Sequence, residues 1–284
     1  MEYFVAAKTL TGKVRRNNED TFCIDGETLP LLHGDSALIS KELLFSLPHL
    51  VGVFDGMGGY SNGEKASYLA ASIARIYWNR IGLQQNPAEV LTELCLEAND
   101  TVCGAASGTQ MGTTCAMLCL NGDGYTLCNI GDSPIFLVRD GVMEQLSIDH
   151  NQRAMYEKIT GKPAKPGQKF RLTQCIGIPR EEMLIEPFTA AGRLQPGDTF
   201  LLCSDGITDM LRPEAIAEIL GSSKTAEEAV TRLTERALEN GGKDNITAVC
   251  VNVSADCRKE KRSSIVAKIF RGIPLLLGKR KIYK

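Results

Sequence analysis

The chain has 284 residues, of which 43% are hydrophobic and 23% charged, a composition typical of a globular protein with a substantial core. Its formal net charge of −2 is unevenly distributed, because residues 255–284 carry ten Lys and Arg against two acids and leave residues 1–254 at −10. An acidic body argues against broad nucleic-acid binding by the main domain. The sequence has no apolar run long enough for a membrane span and no visible signal peptide.

The ten cysteines do not form a CxxC pair. Cys128, Cys203 and Cys250 lie in apolar, strand-like runs, where a free thiol behaves as a small hydrophobic group. We therefore predict a reducing, cytoplasmic location.

The first half of the chain predicts short strands and then two long helices. Residues 26–48 contain Gly, Pro and Ser and are interpreted as an irregular excursion. Asn86 is the predicted N-cap of the second helix, with Pro87 in its first turn. In chain order, the predicted elements are strands over 3–7, 21–24 and 50–54, followed by helices over 62–82 and 87–104.

The second half predicts strands joined by hairpin turns. Asn121-Gly122-Asp123-Gly124 and Arg139-Asp140-Gly141 have the composition of such turns. Thr225 opens a helix with a capping-box pattern that ends at Gly241-Gly242. The other predicted elements are strands over 113–120, 124–130, 134–138 and 142–147, a helix over 150–161, a loop over 162–176, and strands over 200–203 and 246–253. Hairpin-connected strands between pairs of helices indicate an antiparallel α+β fold.

Five aspartates stand beside these strand-like runs: Asp20, Asp55, Asp132, Asp205 and Asp244. Taken singly, each is explained by turn chemistry, because Asp and Gly are common turn residues. Carboxylates at strand ends can also converge at one edge of a sheet, where they repel one another unless cations lie among them. The five together indicate a site for hard divalent cations, which prefer oxygen ligands. Zinc is disfavoured, because His33, His49 and His150 lie outside the acidic motifs.

The neighbours of these acids form an ordered series of motifs over residues 1–253. The motifs are Arg15-x-x-x-Glu19-Asp20, Asp55-Gly56-Met57-Gly58-Gly59, Met111-Gly112-Thr113-Thr114, Gly131-Asp132-Ser133, Ser204-Asp205-Gly206 and Lys243-Asp244-Asn245-Ile246-Thr247. This series resembles the metal-dependent protein phosphatase family of type 2C (PPM) in its bacterial form. The resemblance implies a four-layer αββα sandwich of two antiparallel sheets flanked by helix pairs. It also implies a signalling enzyme that hydrolyses phosphoserine and phosphothreonine by in-line attack of a metal-bridging water.

The resemblance assigns metal-binding roles to residues of this chain. Two core ions, Mn²⁺ or Mg²⁺, are implied, with Asp55 bridging them, the Gly56 carbonyl completing one and Asp205 and Asp244 holding the other. Asp132, with Asp205, would complete a third, weaker site, although a hairpin turn alone also explains Asp132.

Three further residues receive catalytic roles from the resemblance. Arg15 corresponds to the arginine that grips the substrate phosphate, to which a planar guanidinium can donate two hydrogen bonds. Glu19 and Asp20 correspond to acids that hydrogen-bond metal-bound water, so that Asp20 counts among both the metal-site and the catalytic residues.

Three departures from the family pattern concern groups around the substrate. Met57 stands where eukaryotic relatives often carry His, and Pro134 stands where Arg usually follows Gly-Asp-Ser. Thr173-Gln174-Cys175-Ile176-Gly177 replaces Thr-Arg-Ala-Leu-Gly. The metal-ligand pattern itself is unaffected.

Residues 1–254 are therefore predicted to form a phosphatase domain, and residues 255–284 a basic, partly amphipathic tail. The tail either docks on an anionic membrane surface or an acidic partner, or packs on the domain. Lys158, Lys162, Lys165 and Lys169 either meet phosphoproteins or form a solvated loop. The expected partners are phosphoprotein substrates and a cognate Ser/Thr kinase with its targets, without nucleic acid, and the expected state is a monomer.

Two other functions compete with the enzyme. One is a catalytically silent phosphatase-like module that senses or scaffolds phosphoproteins. The other is an interaction domain whose cations stabilise only the fold. Substrate turnover distinguishes both from a phosphatase.

Overall fold

The computed structural model describes residues 1–57, 62–81, 86–106, 110–164 and 170–254. The predicted tail over 255–284 lies outside these residues, as do Lys165, Lys169, Gly58 and Gly59. The strands are β1 (Glu2–Leu10), β2 (Thr21–Ile24), β3 (Glu27–Thr28), β4 (Ser36–Leu43), β5 (His49–Phe54), β6 (Gly56–Met57), β7 (Gly112–Thr113), β8 (Cys115–Asn121), β9 (Gly124–Ile130), β10 (Ile135–Arg139), β11 (Val142–Gln145), β12 (Phe188–Arg193), β13 (Thr199–Cys203) and β14 (Ile246–Ser254). The helices are α1 (Gly63–Ile81), α2 (Pro87–Ala105), α3 (Arg153–Thr160), α4 (Asp205–Thr208), α5 (Pro213–Ser222) and α6 (Ala226–Glu239).

The strands form two large antiparallel sheets. The first has the order β11-β10-β13-β14-β1-β4, and the second has the order β12-β9-β8-β5-β2-β3. A short ladder of β6 and β7 lies beside them. The inner faces of the two sheets share one apolar core, which includes Tyr3, Phe22, Val51, Leu118 and Val251.

A helix layer covers the outer face of each sheet. Helices α1 and α2 pack on the β5 sheet through a second core that includes Phe54, Ile73 and Leu94. Helices α5 and α6 pack on the β14 sheet through a third core that includes Leu201 and Leu233. The predicted four-layer αββα sandwich is therefore confirmed.

Local signals predicted the long elements well. The side chain of Asn86 accepts a hydrogen bond from the Ala88 N–H at 3.2 Å and caps α2. Thr225 Oγ1 accepts one from the Glu228 N–H at 3.1 Å and caps α6. Both caps satisfy N–H groups that have no partner within the helix.

The prediction missed the edge strands β4 and β12, and it did not anticipate α4 and α5. β4 lies within the stretch interpreted as an irregular excursion, and its residues alternate between exposed and half-buried up to Leu43. β12 contains Thr, Ala and Gly rather than an apolar run. Edge strands bury less surface than central strands, so their sequences carry a weaker hydrophobic signal.

Within the described residues, the cysteines are free thiols, and Cys95 Sγ lies 3.7 Å from Cys128 Sγ. None of the helices in this part of the chain combines the length and the apolarity that a membrane crossing requires.

Candidate active site

Strand direction brings the five aspartates to one end of the sandwich. β5, β9 and β13 end there and are followed by Asp55, Asp132 and Asp205. β2 and β14 begin there, just after Asp20 and Asp244. The strand register aligns these ends within each sheet. Thr21 pairs with Phe54, Cys115 with Ile130 and Cys203 with Ala248.

A cavity of about 620 Å³ opens at this end between the two sheets. Most of the predicted site residues line it, namely Arg15, Glu19, Asp55, Gly56, Asp132, Asp205 and Asp244. Asp20 is not among the residues that line the cavity, and its side chain is buried behind the wall, 1% exposed. The structure thus brings seven of the eight predicted residues to one surface and holds the eighth beneath it.

Hydrogen bonds of both its backbone N–H and its backbone carbonyl hold Asp55 in place. Its N–H donates to Thr114 Oγ1 at 3.0 Å, and its carbonyl accepts from the Thr114 N–H at 2.9 Å. Thr113 Oγ1 donates to the same carbonyl at 2.9 Å. The Met111-Gly112-Thr113-Thr114 motif therefore fixes the position from which the Asp55 side chain enters the cavity.

Gly56 is required by close packing. A Cβ atom at this position would lie 2.3 Å from the Glu19 carbonyl oxygen and 2.3 Å from that of Gly63, both far inside van der Waals contact. The Gly56 N–H donates to the Glu19 carbonyl at 3.1 Å, which binds the Arg15–Asp20 loop to the end of β5. Only a residue without a side chain allows this approach.

Asp20 is a buried acid with two hydroxyl donors. Its Oδ2 accepts from Thr247 Oγ1 at 2.6 Å and from Ser204 Oγ at 2.8 Å. Burial raises the pKa of Asp20 to about 6, although both hydroxyl groups and a hydrogen bond with Asp55 act in the opposite direction. Through these hydrogen bonds, Asp20 links the end of β13 and the start of β14 to Asp55.

The acidic cluster is electrostatically unfavourable by itself. Burial raises the pKa of Asp55 well above its ordinary value, and the charges of Asp20, Asp205, Asp132 and Asp244 raise it further. Carboxylates that repel one another in this way become compatible when cations lie among them. The donor set consists of oxygen atoms, which suits Mg²⁺ or Mn²⁺.

Among the described residues, no group of three acidic, His or Cys side chains is already closed into a metal-binding set. The carboxylates therefore lie around a shared space without forming a tight cage. Such an arrangement is compatible with Mg²⁺ or Mn²⁺, because Mg²⁺ usually keeps several water ligands and takes only one or two carboxylates directly.

Arg15 is the cation of the cavity nearest to this cluster. Its guanidinium donates to Asp244 Oδ2 at 2.7 Å, and this hydrogen bond raises the pKa of Arg15 above its ordinary value. Its side chain remains 47% exposed. A half-exposed guanidinium held beside acidic groups is well suited to contact a ligand phosphate.

Asp132 lines the same cavity and interacts with the loop that follows β11. Asn151 donates to Asp132 Oδ2 at 3.3 Å, and the neighbouring Ser133 hydroxyl lies 2.6 Å from Thr114 Oγ1. The Pro134 carbonyl accepts from the Cys203 N–H at 3.2 Å, so Pro134 joins β13 in this arrangement.

Asn245 organises the site, and the sequence interpretation gave it no role of its own. Its Oδ1 accepts from the Glu19 N–H at 2.8 Å, and its Nδ2 donates to the carbonyls of Thr11 and Asn17 at 2.9 Å. One buried amide thereby shapes the whole loop that carries Arg15. Its position directly after Asp244 is a signal that could have revealed it, because a buried Asn at a strand start usually serves backbone groups.

The fold and this acidic cavity define a class of protein in which two sheets present carboxylates to a metal-dependent site at their common end. Residues 44–249 match the model of the family described as Protein phosphatase 2C. The chain belongs to the protein phosphatase 2C family.

Relatives in bacteria agree with this membership. The serine/threonine phosphatase stp of Listeria innocua is 32% identical over 219 residues, which cover 71% of this chain and 83% of that protein. The serine/threonine protein phosphatase PstP of Mycobacterium tuberculosis is 31% identical over 259 residues, covering 87% of this chain. This chain spans 44% of the length of PstP.

Solved structures have the same fold. A crystal structure of the Mycobacterium tuberculosis phosphatase PstP/Ppp superposes with a TM-score of 0.71 at 25% identity, covering 90% of this chain and all of that one. The PstP catalytic domain in complex with two manganese ions gives a TM-score of 0.69 at 27% identity, with the same coverage. The predicted family is confirmed.

Proposed function

We propose that this chain is a Mn²⁺- or Mg²⁺-dependent phosphatase that hydrolyses phosphoserine and phosphothreonine monoesters in proteins. One observation carries the proposal: Asp55, Asp132, Asp205 and Asp244, from four strand ends, line the same cavity as Arg15, which pairs with Asp244. The two manganese ions of the PstP catalytic domain support the choice of metal. The substrates named for the bacterial relatives support the choice of phosphoproteins.

Asp55, Asp205 and Asp244 are the residues we assign to the two core ions, together with the Gly56 carbonyl. Asp132 is assigned to a third, weaker position with Asp205. When bound, the ions lower the pKa of water and withdraw charge from a phosphate, which favours in-line attack at phosphorus. Asp20, behind the cavity wall, supports Asp55 through a hydrogen bond, and Glu19, which lines the cavity, accepts hydrogen bonds from water within the site.

Arg15 is assigned to the substrate phosphate. Its pairing with Asp244 keeps the guanidinium at the edge of the acidic cluster, where it can donate to two phosphate oxygens. The carboxylates alone would repel a phosphate dianion. Arg15 therefore supplies, from the protein itself, positive charge on the side from which the substrate enters.

The same proposal covers the partners and the extent of the domain. Residues 1–254 form the phosphatase domain, and residues 255–284 add a basic segment that docks on an anionic membrane surface or an acidic partner. The protein works as a cytoplasmic monomer without nucleic acid. It opposes a serine/threonine kinase and acts on that kinase's targets.

A metal-dependence assay with a phosphothreonine peptide tests the proposal. Phosphate release is measured with Mn²⁺, with Mg²⁺ and with excess chelator, and thermal unfolding is followed under the same conditions. We expect Mn²⁺ to support turnover and to raise the unfolding temperature, since a ligand that binds only the folded state stabilises it. Turnover that is undiminished in chelator contradicts the proposal. A thermal shift without any turnover would instead favour the interaction domain.

A further inference from the structure

The cavity has a second face that the phosphate chemistry does not use. Besides the carboxylates, apolar side chains line the same space, among them Met57, Met111, Phe170, Leu172, Ile178 and Pro179. Except for the buried Met111, these residues are half-buried, so their surfaces are available to a ligand in the cavity. We call this surface the apolar wall.

Two thiols extend the apolar wall rather than interrupting it. Cys103 at the end of α2 and Cys175 both line the cavity. Burial raises the pKa of Cys175 to about 11 and also raises that of Cys103, so both thiols stay protonated near neutral pH. A neutral thiol behaves as a small hydrophobic group. Cys175 is also the residue that replaces the family's usual Ala.

The centre of the apolar wall is fixed by one buried amide. Asn99 on α2 is 2% exposed, and its Oδ1 accepts from the N–H groups of Gly177 and Ile178 at 2.8 and 3.1 Å. Its Nδ2 donates to the Ile178 carbonyl at 2.9 Å. Gly177 has φ +105°, and a Cβ there would lie 2.3 Å from the Met111 carbonyl oxygen. These contacts hold the segment in its observed backbone conformation.

Neighbouring contacts hold the rest of the apolar wall. Thr113 and Ile176 exchange two backbone hydrogen bonds, at 3.0 and 2.9 Å. The Phe170 ring packs against Tyr156 of α3 with 5.4 Å between the ring centres. A surface that is already ordered loses little conformational entropy when it binds a ligand, which favours specific recognition.

We propose that the apolar wall is a substrate subsite that receives a large apolar side chain within two residues of the phosphorylated Ser or Thr. This inference rests on the proposed function. The wall and the carboxylates share one continuous cavity, so a peptide whose phosphate lies at the carboxylates places its neighbouring residues beside the wall. A cavity of this size lies within the range of about 300–1,000 Å³ that is usual for ligand sites, and it has room for more than a phosphate group.

The occupant follows from the chemistry of the lining. Charges of both signs line the same cavity, so an acidic flanking residue would meet like charge at Asp132 and Glu182, and a basic one would meet like charge at Arg171. An apolar side chain would remove the half-buried surfaces of Leu172 and Ile178 from water together with its own. The phosphate remains bound at the carboxylates, so charged groups recognise the phosphate and apolar groups recognise the flanking side chain.

Matched phosphothreonine peptides test the subsite. The reference peptide has Ser at every position within two residues of the phosphothreonine, and four further peptides each carry one Leu at −2, −1, +1 or +2. With Mn²⁺ present, kcat and KM are measured for each. We expect at least one Leu peptide to have a kcat/KM about tenfold above the reference, equivalent to about 1.4 kcal/mol, mainly through a lower KM.

Two variants of the apolar wall test whether the preference for a Leu peptide arises there, and a third variant outside the cavity is the control. Leu172→Ser and Ile178→Ala should each bring the ratio between the favoured peptide and the reference down toward one. Leu184→Ser makes the same substitution at a Leu that is 70% exposed and does not line the cavity, so it should keep the wild-type ratio. Circular dichroism shows which variants fold. One folded wall variant is sufficient to test the subsite.

The outcomes separate this inference from the proposed function. Mn²⁺-dependent hydrolysis of all five peptides within twofold of one another overturns the subsite and leaves the phosphatase intact. A preference that survives in a folded wall variant also overturns it. Absence of hydrolysis of every peptide overturns the proposed function and the subsite with it.

Discussion

The two faces of the cavity are built in different ways. On the acidic face, each carboxylate belongs to a short local motif at a strand end, such as Gly131-Asp132-Ser133 or Ser204-Asp205-Gly206. On the apolar wall, residues from the end of α2, from β6 and from residues 170–179 meet only through the tertiary fold. Chemistry encoded in local motifs can be recognised from sequence, whereas a surface assembled at long range cannot.

Removing a carboxylate from the acidic face should give the largest effect. In Asp55→Asn, the side chain keeps its size but loses the charge assigned to both ions. We expect kcat/KM for the reference phosphopeptide to fall by at least about a thousandfold, because a metal supplies several kcal/mol of charge stabilisation and each 1.4 kcal/mol is a factor of ten. Steady-state kinetics with Mn²⁺ measure this.

Asp123→Asn is the matched control for Asp55→Asn. Asp123 lies in the β8–β9 turn at the other end of the sandwich, and its side chain is 71% exposed. The same charge change there should leave turnover unaltered. Comparable losses in the two variants would mean that overall charge, not the acidic face, determines activity.

The next effect is the pH dependence of the stability of the metal-free protein. Asp20 has a pKa of about 6 when folded, above its ordinary value of 3.8, so the unfolded chain releases its proton first as the pH rises. The folded protein is therefore destabilised as the pH rises from about 4 to about 6. Urea unfolding of chelator-treated protein across this range checks the sign.

Thr247→Val should move this pH window upward, because it removes a hydroxyl that donates to the ionised Asp20 and lowers its pKa. Thr234→Val is a suitable control, since Thr234 is also fully buried but donates within α6, to the Val230 carbonyl. If both variants shift the window alike, the assignment of the pH effect to Asp20 is wrong.

The smallest effect concerns the support of the apolar wall. Asn99→Ala leaves the N–H groups of Gly177 and Ile178 without their acceptor, which should lower the free energy of unfolding by about 1–3 kcal/mol. Because the wall then loses its fixed conformation, KM for the favoured Leu peptide should rise more than KM for the reference peptide. Denaturant unfolding and the two KM values measure these changes.

Asn86→Ala on the same helix separates stability from specificity. It removes the α2 N-cap, which typically costs about 1 kcal/mol, at a position outside the residues that line the cavity. Equal changes of the KM ratio in Asn86→Ala and Asn99→Ala would show that the wall responds to overall stability and not to the Asn99 clamp.

The sequence predicted the central strands, the long helices and the residues of the acidic face, because each carries a local signal. Asp55 follows an apolar run and precedes Gly56, whose lack of a side chain the packing against Glu19 requires. β4 and β12 were missed because they are edge strands of weak apolar character. The supporting roles of Asn99 and Asn245 were missed, because in most of their hydrogen bonds the partners lie 78 or more residues away along the chain.

The direction of β14 fixes where the chain leaves the domain. This strand starts next to Asp244 and runs nine residues to Ser254, which pairs with Glu2 at the opposite pole. At about 3.3 Å per residue, that pole lies about 30 Å from the acidic residues. An anchor attached just after Ser254 would hold the protein at the pole opposite the cavity. The mouth of the cavity would then face away from the anchor, open to incoming phosphoproteins.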